Sequence, residues 1–434
     1  GTLAINAGTI YTTGSQTYND AITLGAATTL TGTTITTNGT IVGGSNSLTI
    51  TGNAVFGNST DDTLTGLTTL SVSGTSTINT STVTSSSTQT YSGAVTLGTG
   101  VTMTTTSNGN ISFGASIGNS SAQNLTLDTG LTSGTISVTG AVGSGTALGT
   151  LTITKSAGTT FSSTVNAATI ALTDTKASTN ITFSDNVTAT TGLTVSAGTG
   201  AYNVVFNGAS NTIAGATTFS NTGSVTLGND ATDSIQFTGG VVATAPSQVN
   251  LAGTIKATNS AISLGDSNTP IVLTANTTVD GNTSGNITLG GTVNGAYALT
   301  LNTTGTTTLS STVGNSAALT SITTNAGGTV VINGGAITTT GTQTYNDAAT
   351  LGANTTLTTT SNGDVTFGST VDGAKTLTIA PGSGTATFSG VVGGSFALTS
   401  VAITGSGSIA MNGATITTTG SQTYSGAVTL NADT

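Results

Sequence analysis

The feature that most constrains the fold is an internal repeat. The segment "MNGATITTTGSQTYSGAVTL" at residues 411–430 is a near copy of "INGGAITTTGTQTYNDAATL" at residues 332–351. Two related copies begin at Ile5 and Ile78. Repetition over tens of residues is typical of arrays in which each unit packs only on its neighbours. The repeats therefore predict a solenoid whose length can grow by duplication.

Short segments such as "GDVTFG", "GTISVTG" and "GSIAMNG" alternate apolar and polar residues between Gly, Asn or Asp. This alternation indicates half-buried strands joined by turns. Abundant Thr, Val and Ile also favour extended backbone over helix. We therefore predict an all-β solenoid of about 20 coils, each of roughly 22 residues. It would form a rod on the order of 100 Å long at the usual spacing between strands.

The coil period is marked by bulky residues that begin a shorter motif, as in "FSDNV" and "FSGVV". Phe161, Phe183 and Phe206 are 22 and 23 residues apart. We predict that equivalent bulky residues of successive coils stack in a dry column along the axis. The predicted stack consists of Tyr18, Tyr91, Phe113, Val138, Phe161, Phe183, Phe206, Phe237, Leu309, Ile332, Tyr345, Phe367, Phe388, Met411 and Tyr424.

The repeats are clearest at residues 1–166 and 286–434 and degenerate at 167–285. No composition shift, proline-rich linker or charged block marks a boundary between them. We therefore predict one continuous solenoid over residues 1–434, and we expect it to be a segment of a longer chain.

Composition excludes several classes of function. The chain has no Cys, His or Trp, and its 4 basic and 14 acidic residues leave a net charge of -10. Nucleic-acid binding is not expected, because phosphates need clustered Lys and Arg. No apolar run is long enough to span a bilayer, so a transmembrane protein is not expected. No cofactor is expected either.

The segments "SNGDVTFGSTVDGAKTLTI" (361–379), "GVVGGSFALTSVAI" (390–403) and "TTTGSQTYSGAVTLN" (417–431) resemble the β-strand repeats of large secreted bacterial exoproteins of the filamentous haemagglutinin type. The resemblance implies a right-handed parallel β-helix at or beyond the outer membrane, often adhesive. We accordingly expect an extracellular structural protein that acts as scaffold, stalk or adhesin. Its expected partners are further copies of itself, end to end or side by side, or glycans and other surfaces of host or neighbouring cells.

A polysaccharide-binding or polysaccharide-cleaving β-helix is an alternative. Cleavage needs paired carboxylates with a nearby cation to stabilise developing charge. The candidate pairs are Asp61 with Asp62 and Asp230 with Asp233, and no Lys is near either pair in sequence. We expect these carboxylates to bond the backbone of their own turns instead, so we do not expect an enzyme. The same turns are the candidate calcium sites, although the glycine-rich pattern of calcium-binding β-rolls is absent.

A second alternative is binding to ice through a flat array of Thr. Runs such as "TTLTTT" at 355–360 and "TMTTT" at 102–106 suggest such an array. It requires Thr in register on every coil. Because the coil length varies between about 20 and 25 residues, with some longer insertions, we expect that register to be lost.

Overall fold

The computed structural model describes residues 1–413 and 415–431. Parallel strands stack into a β-solenoid of about 19 coils with a period of ~22 residues, and the described chain has no helix. The fold class predicted from the sequence is thereby confirmed. The right-handed sense of the coil stays a prediction.

The coils fall into two compact units, Gly1–Ala214 with Asn221–Gly223 and Gly215–Ser220 with Ser224–Thr434. Within each unit, strands of successive coils pair in parallel and build three faces. That the chain is one continuous solenoid over residues 1–434 stays a prediction.

In the first unit each coil passes through faces 1a, 1b and 1c in that order. Thr82–Ser85, Gln89–Tyr91 and Val95–Leu97 form one such coil, and some longer strands turn a corner between two faces. The strands of this unit are Thr2–Ile5, Thr9–Tyr11, Gln16–Tyr18, Ala21–Leu24, Thr28–Thr37, Ile41–Phe56, Thr63–Val72, Ser76–Ile78, Thr82–Ser85, Gln89–Tyr91, Val95–Leu97, Val101–Thr105, Ile111–Phe113, Ile117–Asn119, Leu125–Asp128, Ile136–Val138, Val142–Ser144, Leu148–Lys155, Thr159–Phe161, Val165–Leu172, Asn180–Phe183, Val187–Val195, Asn203–Phe206 and Ser210–Ile213.

In the second unit the faces are 2a, 2b and 2c, again in chain order. Ala348–Leu351, Thr355–Thr359 and Val365–Phe367 form one coil. The strands of this unit are Thr217–Thr218, Ser224–Leu227, Ser234–Phe237, Val241–Ala243, Gln248–Ala257, Ile262–Leu264, Ile271–Asn282, Ile287–Leu289, Val293–Asn294, Ala298–Thr303, Thr306–Leu309, Ser321–Thr324, Thr329–Ile332, Ala336–Thr339, Gln343–Tyr345, Ala348–Leu351, Thr355–Thr359, Val365–Phe367, Val371–Asp372, Thr376–Ala380, Ala386–Phe388, Ser400–Ile403, Ile409–Met411, Gln422–Tyr424 and Val428–Leu430.

Register is kept along face 1b although the coils differ in length. On face 1b, Val72 pairs with Tyr91 after 19 residues, whereas Phe113 pairs with Val138 after 25. The additional residues lie in turns, including residues 120–124, while the paired strands keep their lengths. Variable coil length is therefore compatible with strict stacking, because the turns absorb the difference.

Close contact between coils explains why some turns need Gly. Gly52 has a positive φ of 135°, and a Cβ on it would collide with the carbonyl oxygen of Gly32 one coil below. Both the backbone conformation and the contact exclude larger residues there.

Candidate functional site: the aromatic columns and the hydroxyl surface of face 1b

Six residues of the predicted stack form one buried column on face 1b. Tyr91 stacks on Phe113 with ring centroids 5.1 Å apart, and Val138 pairs with both Phe113 and Phe161. Phe161, Phe183 and Phe206 continue the stack at centroid distances of 5.2 and 4.9 Å. Their ring planes are within 14° of parallel. This column forms the dry interior behind face 1b.

A second column lies on face 2c. Tyr345, Phe367 and Phe388 stack at centroid distances of 5.1 and 5.6 Å. Met411 lies one coil after Phe388, pairs with it and is also buried. Within the described residues, the predicted stack thus supplies one aromatic column to each unit.

The other five predicted stack residues lie elsewhere, which corrects the prediction of a single column. Tyr18 is half-buried on face 1c and Tyr424 is half-buried on face 2b. Leu309 and Ile332 pair with each other on face 2a. Phe237 lies at the end of its strand on face 2c. It pairs with Ala257, and its ring meets that of Phe219 edge-on.

Equivalent residues of the repeat lie on different faces because the sequence repeat and the coil have different periods. From Ile332, face 2a returns at Leu351, Val371 and Val392, and two faces later the chain reaches Met411 on face 2c. The copies are thus three full coils and two faces apart, or eleven faces. Each coil has three faces, and eleven is not a multiple of three. Equivalent residues of two copies therefore lie on different faces. Ile5 on face 1a and Ile78 on face 1c show the same offset.

Sequence reasoning missed the role of Gln in the repeated Gln-Thr-Tyr motif. Gln343 is fully buried, and its Nε2 donates to the carbonyl oxygens of Ile337 and Thr358 at 3.2 and 2.9 Å. Its Oε1 accepts a hydrogen bond from the Tyr345 hydroxyl at 2.9 Å. Burial raises the pKa of Tyr345, so the phenol stays a donor. We call this set of buried Gln hydrogen bonds the clamp. The repeated occurrence of Gln-Thr-Tyr in the sequence could have indicated it.

The same clamp is formed by Gln89, whose Nε2 donates to the carbonyl oxygens of Val83 and Thr104. The Tyr91 hydroxyl again donates to its Gln partner. In both copies the amide joins a strand of its own coil to a strand of the following coil. Gln therefore links successive coils at a corner through hydrogen bonds from its own buried amide.

Three of the four candidate carboxylates, those of Asp62, Asp230 and Asp233, accept hydrogen bonds from the turns in which they lie, as the sequence predicts. Asp62 Oδ2 accepts hydrogen bonds from two backbone N–H groups of its own turn at 3.1 and 3.2 Å, and Asp61 lies in the same turn. Asp233 Oδ2 accepts two such bonds at 2.8 and 3.0 Å. Hydrogen bonds from Thr232 lower the pKa of Asp230. These contacts give the carboxylates a structural role.

No three acidic side chains converge to form a metal site within residues 1–413 and 415–431. In that same part of the chain, no helix is long and apolar enough to cross a membrane.

Face 1b presents two parallel rows of hydroxyl groups, one on each side of its column. The first row keeps register over nine successive coils, which corrects the expectation that variable coil length would destroy it. Its members are Thr9, Thr29, Thr49, Ser71, Thr90, Ser112, Ser137, Thr160 and Thr182. The second row consists of Thr31, Thr51, Ser73, Ser92, Thr139, Ser162 and Ser184 and is interrupted at Gly114.

Face 2c carries a comparable row of outward Thr. Its members are Thr254, Thr278, Thr300, Thr323, Thr344, Thr366 and Thr387. The rows arise because the strand segments read hydroxyl–apolar–polar, with the apolar residue pointing inward. Strands pair about 4.8 Å apart, so the hydroxyl groups repeat at that interval along each row.

A shallow, open groove of about 410 Å³ interrupts face 1b. It crosses three coils, and its lining includes Thr135, Ser137, Thr160, Asn180 and Thr182. No charged residue lines the groove.

Gly158 creates the depression, because it stands in the outward row where the coils on either side have Thr135 and Asn180. A Cβ on Gly158 would meet only one atom, at 3.9 Å, so the space above it is open. Lys176 bridges the loops that precede two of the groove's strands, and its Nζ donates to the Thr132 carbonyl oxygen at 3.0 Å. The groove is thus a polar channel that follows the axis of the coils.

Comparisons with other proteins add no family to this description. No protein-family model, curated protein or solved structure matches the chain. What the structure itself establishes is a repeat β-helix protein.

Proposed function

We propose that the protein is an extracellular structural element of the bacterial cell surface, which acts as a scaffold, stalk or adhesin of the filamentous haemagglutinin type. The observation that carries this proposal is the unbroken register on face 1b, where paired strands follow one another from Thr9–Tyr11 to Asn203–Phe206. Such stacking gives stiffness along the axis because every coil is bonded to both neighbours.

The charge distribution also supports a structural role. The 14 acidic and 4 basic residues are few for 434 positions, and the outward rows are hydroxyl groups. Surfaces of this kind suit contact with hydrated polymers or with another copy more than recognition of a charged partner. The proposal assigns the chain no catalytic role, because Asp62 and Asp233 are engaged by the backbone of their turns.

Two experiments test the proposal. Electron microscopy of negatively stained protein should show straight rods or fibres, and fibres longer than one molecule would identify self-association. Proteolysis of intact producing cells should remove the protein from their surface while a cytoplasmic marker is spared. Protein that is protected in intact cells and released only by lysis would refute the extracellular role.

The test of a catalytic role is separate. Cleavage of a polysaccharide by the wild type that disappears in both Asp230→Asn and Asp233→Asn would show that the chain is an enzyme. We expect no cleavage, and we expect Asp233→Asn to lower the melting temperature through the loss of its turn contacts.

A further inference from the structure

The geometry points to the groove on face 1b as a binding site for an extended, neutral polysaccharide chain that lies along the axis. This inference builds on the proposed function, because it specifies what an adhesive surface of this protein would hold. It concerns the groove alone and not the hydroxyl rows of the other faces.

The lining of the groove offers free hydrogen-bonding groups. Within the described residues, the hydroxyl groups of Ser137, Thr160 and Thr182 have no hydrogen-bond partner in the protein. A hydroxyl group is both donor and acceptor, and so are the hydroxyl groups of a sugar. A neutral glycan can therefore satisfy these side chains without either side burying a charge.

The shape of the groove suits an extended polymer. The groove spans three coils from Thr135 to Thr182, which is about 10 Å along the axis at the usual strand spacing. The hydroxyl groups of Ser137, Thr160 and Thr182 are paired neighbours in one row. An extended chain of pyranose units has a similar repeat and can contact one coil with each unit. A flat ice surface fits less well, because Gly158 makes the face concave at this place.

The charge of the chain and of the groove lining favours a neutral ligand. The chain has a net charge of -10, which disfavours binding of polyanionic glycans. No carboxylate lines the groove, so a positively charged amino sugar would find no counter-ion there. No aromatic ring lines it either. Binding by a few exposed hydrogen bonds alone is weak, on the order of millimolar for one site. A long polymer would gain affinity by contacting many molecules at once.

The test uses the full chain and ligand-observed saturation-transfer NMR, which detects weak binding. The probe is cellohexaose, an extended neutral β-linked oligosaccharide, and oligogalacturonate of the same length is the anionic comparison. We expect transfer to cellohexaose and little to oligogalacturonate. The triple variant Ser137→Ala, Thr160→Val, Thr182→Val should weaken cellohexaose binding by about tenfold or more, because it removes the hydroxyl groups and preserves the strands.

The matched control is Thr96→Val on face 1c, where Thr96 is exposed and faces outward between Thr77 and Gly118. It should bind like the wild type. No transfer from the wild type at millimolar cellohexaose, or equal binding by the triple variant, would overturn the inference. Melting curves and micrographs of the variants separate the two proposals. A well-folded rod on the cell surface that does not bind the glycan refutes the groove and leaves the structural role intact.

Discussion

The aromatic column of face 1b allows us to predict how much stability is lost when Phe183 is substituted. Its ring lies between Phe161 and Phe206 at centroid distances of 5.2 and 4.9 Å, with interplanar angles of 7° and 14°. The side chain is fully buried. Phe183→Ala would remove both ring contacts and leave a cavity that spans the spacing between two coils.

The expected loss of stability is about 4–5 kcal/mol, since buried Phe→Ala substitutions cost about 3–5 kcal/mol. Each stacked pair contributes about 0.5–1.5 kcal/mol beyond area burial, which places this site in the upper part of that range. Phe183→Leu keeps most of the volume and should cost about 1–1.5 kcal/mol. The neighbouring Thr182→Val changes only an outward side chain and should shift stability by less than about 0.5 kcal/mol.

The assay is urea unfolding followed by circular dichroism, combined with hydrogen exchange of the three strands involved. In a solenoid the damage should be local, so exchange should accelerate in Thr159–Phe161, Asn180–Phe183 and Asn203–Phe206 before it does so in distant coils. A cost for Phe183→Ala no larger than that for Thr182→Val would refute the stacked column. Uniformly faster exchange across the whole unit would refute the nearest-neighbour picture.

Three further predictions concern the buried polar groups and the turns. Gln343→Leu should lower stability by about 2–4 kcal/mol, because it removes the hydrogen bonds of the buried amide and leaves the buried Tyr345 hydroxyl without its acceptor. Gln422→Leu, in an exposed copy of the motif, should cost less in the same urea titration. Burial raises the pKa of Asp347, although the N–H of a nearby Gly opposes this by donating to its Oδ1. The folded state then binds this proton more tightly, so stability is full below the usual carboxyl pKa and falls as pH rises through the raised value. Asp347→Asn should remove that loss. The melting temperature of the variant minus that of the wild type should therefore increase from pH 3 to pH 7, and a difference that does not change with pH would contradict this expectation. Gly52→Ala should cost about 1–3 kcal/mol, because the turn has a positive φ and touches the coil below. Gly14→Ala, which meets no atom within 4 Å, should be nearly neutral.

The sequence alone determined the fold class and the spacing of the coils. Alternation in segments such as "GDVTFG" sets which residues face inward, and this depends only on the geometry of extended backbone. The same local information located the turns and the strand neighbours Phe161, Phe183 and Phe206. It also indicated that Asp62 and Asp233 bond their own turns, because those hydrogen bonds span few residues.

Only the tertiary structure decided which face each residue occupies. Ile332 and Met411 begin nearly identical segments, yet one lies on face 2a and the other on face 2c. The face that a residue occupies depends on how many strands and turns separate it from the residue it is compared with. A local sequence pattern does not contain that information. The same is true of the hydroxyl rows and of the groove beside Gly158. Both are formed by side chains from separate coils, which become neighbours only when the strands pair.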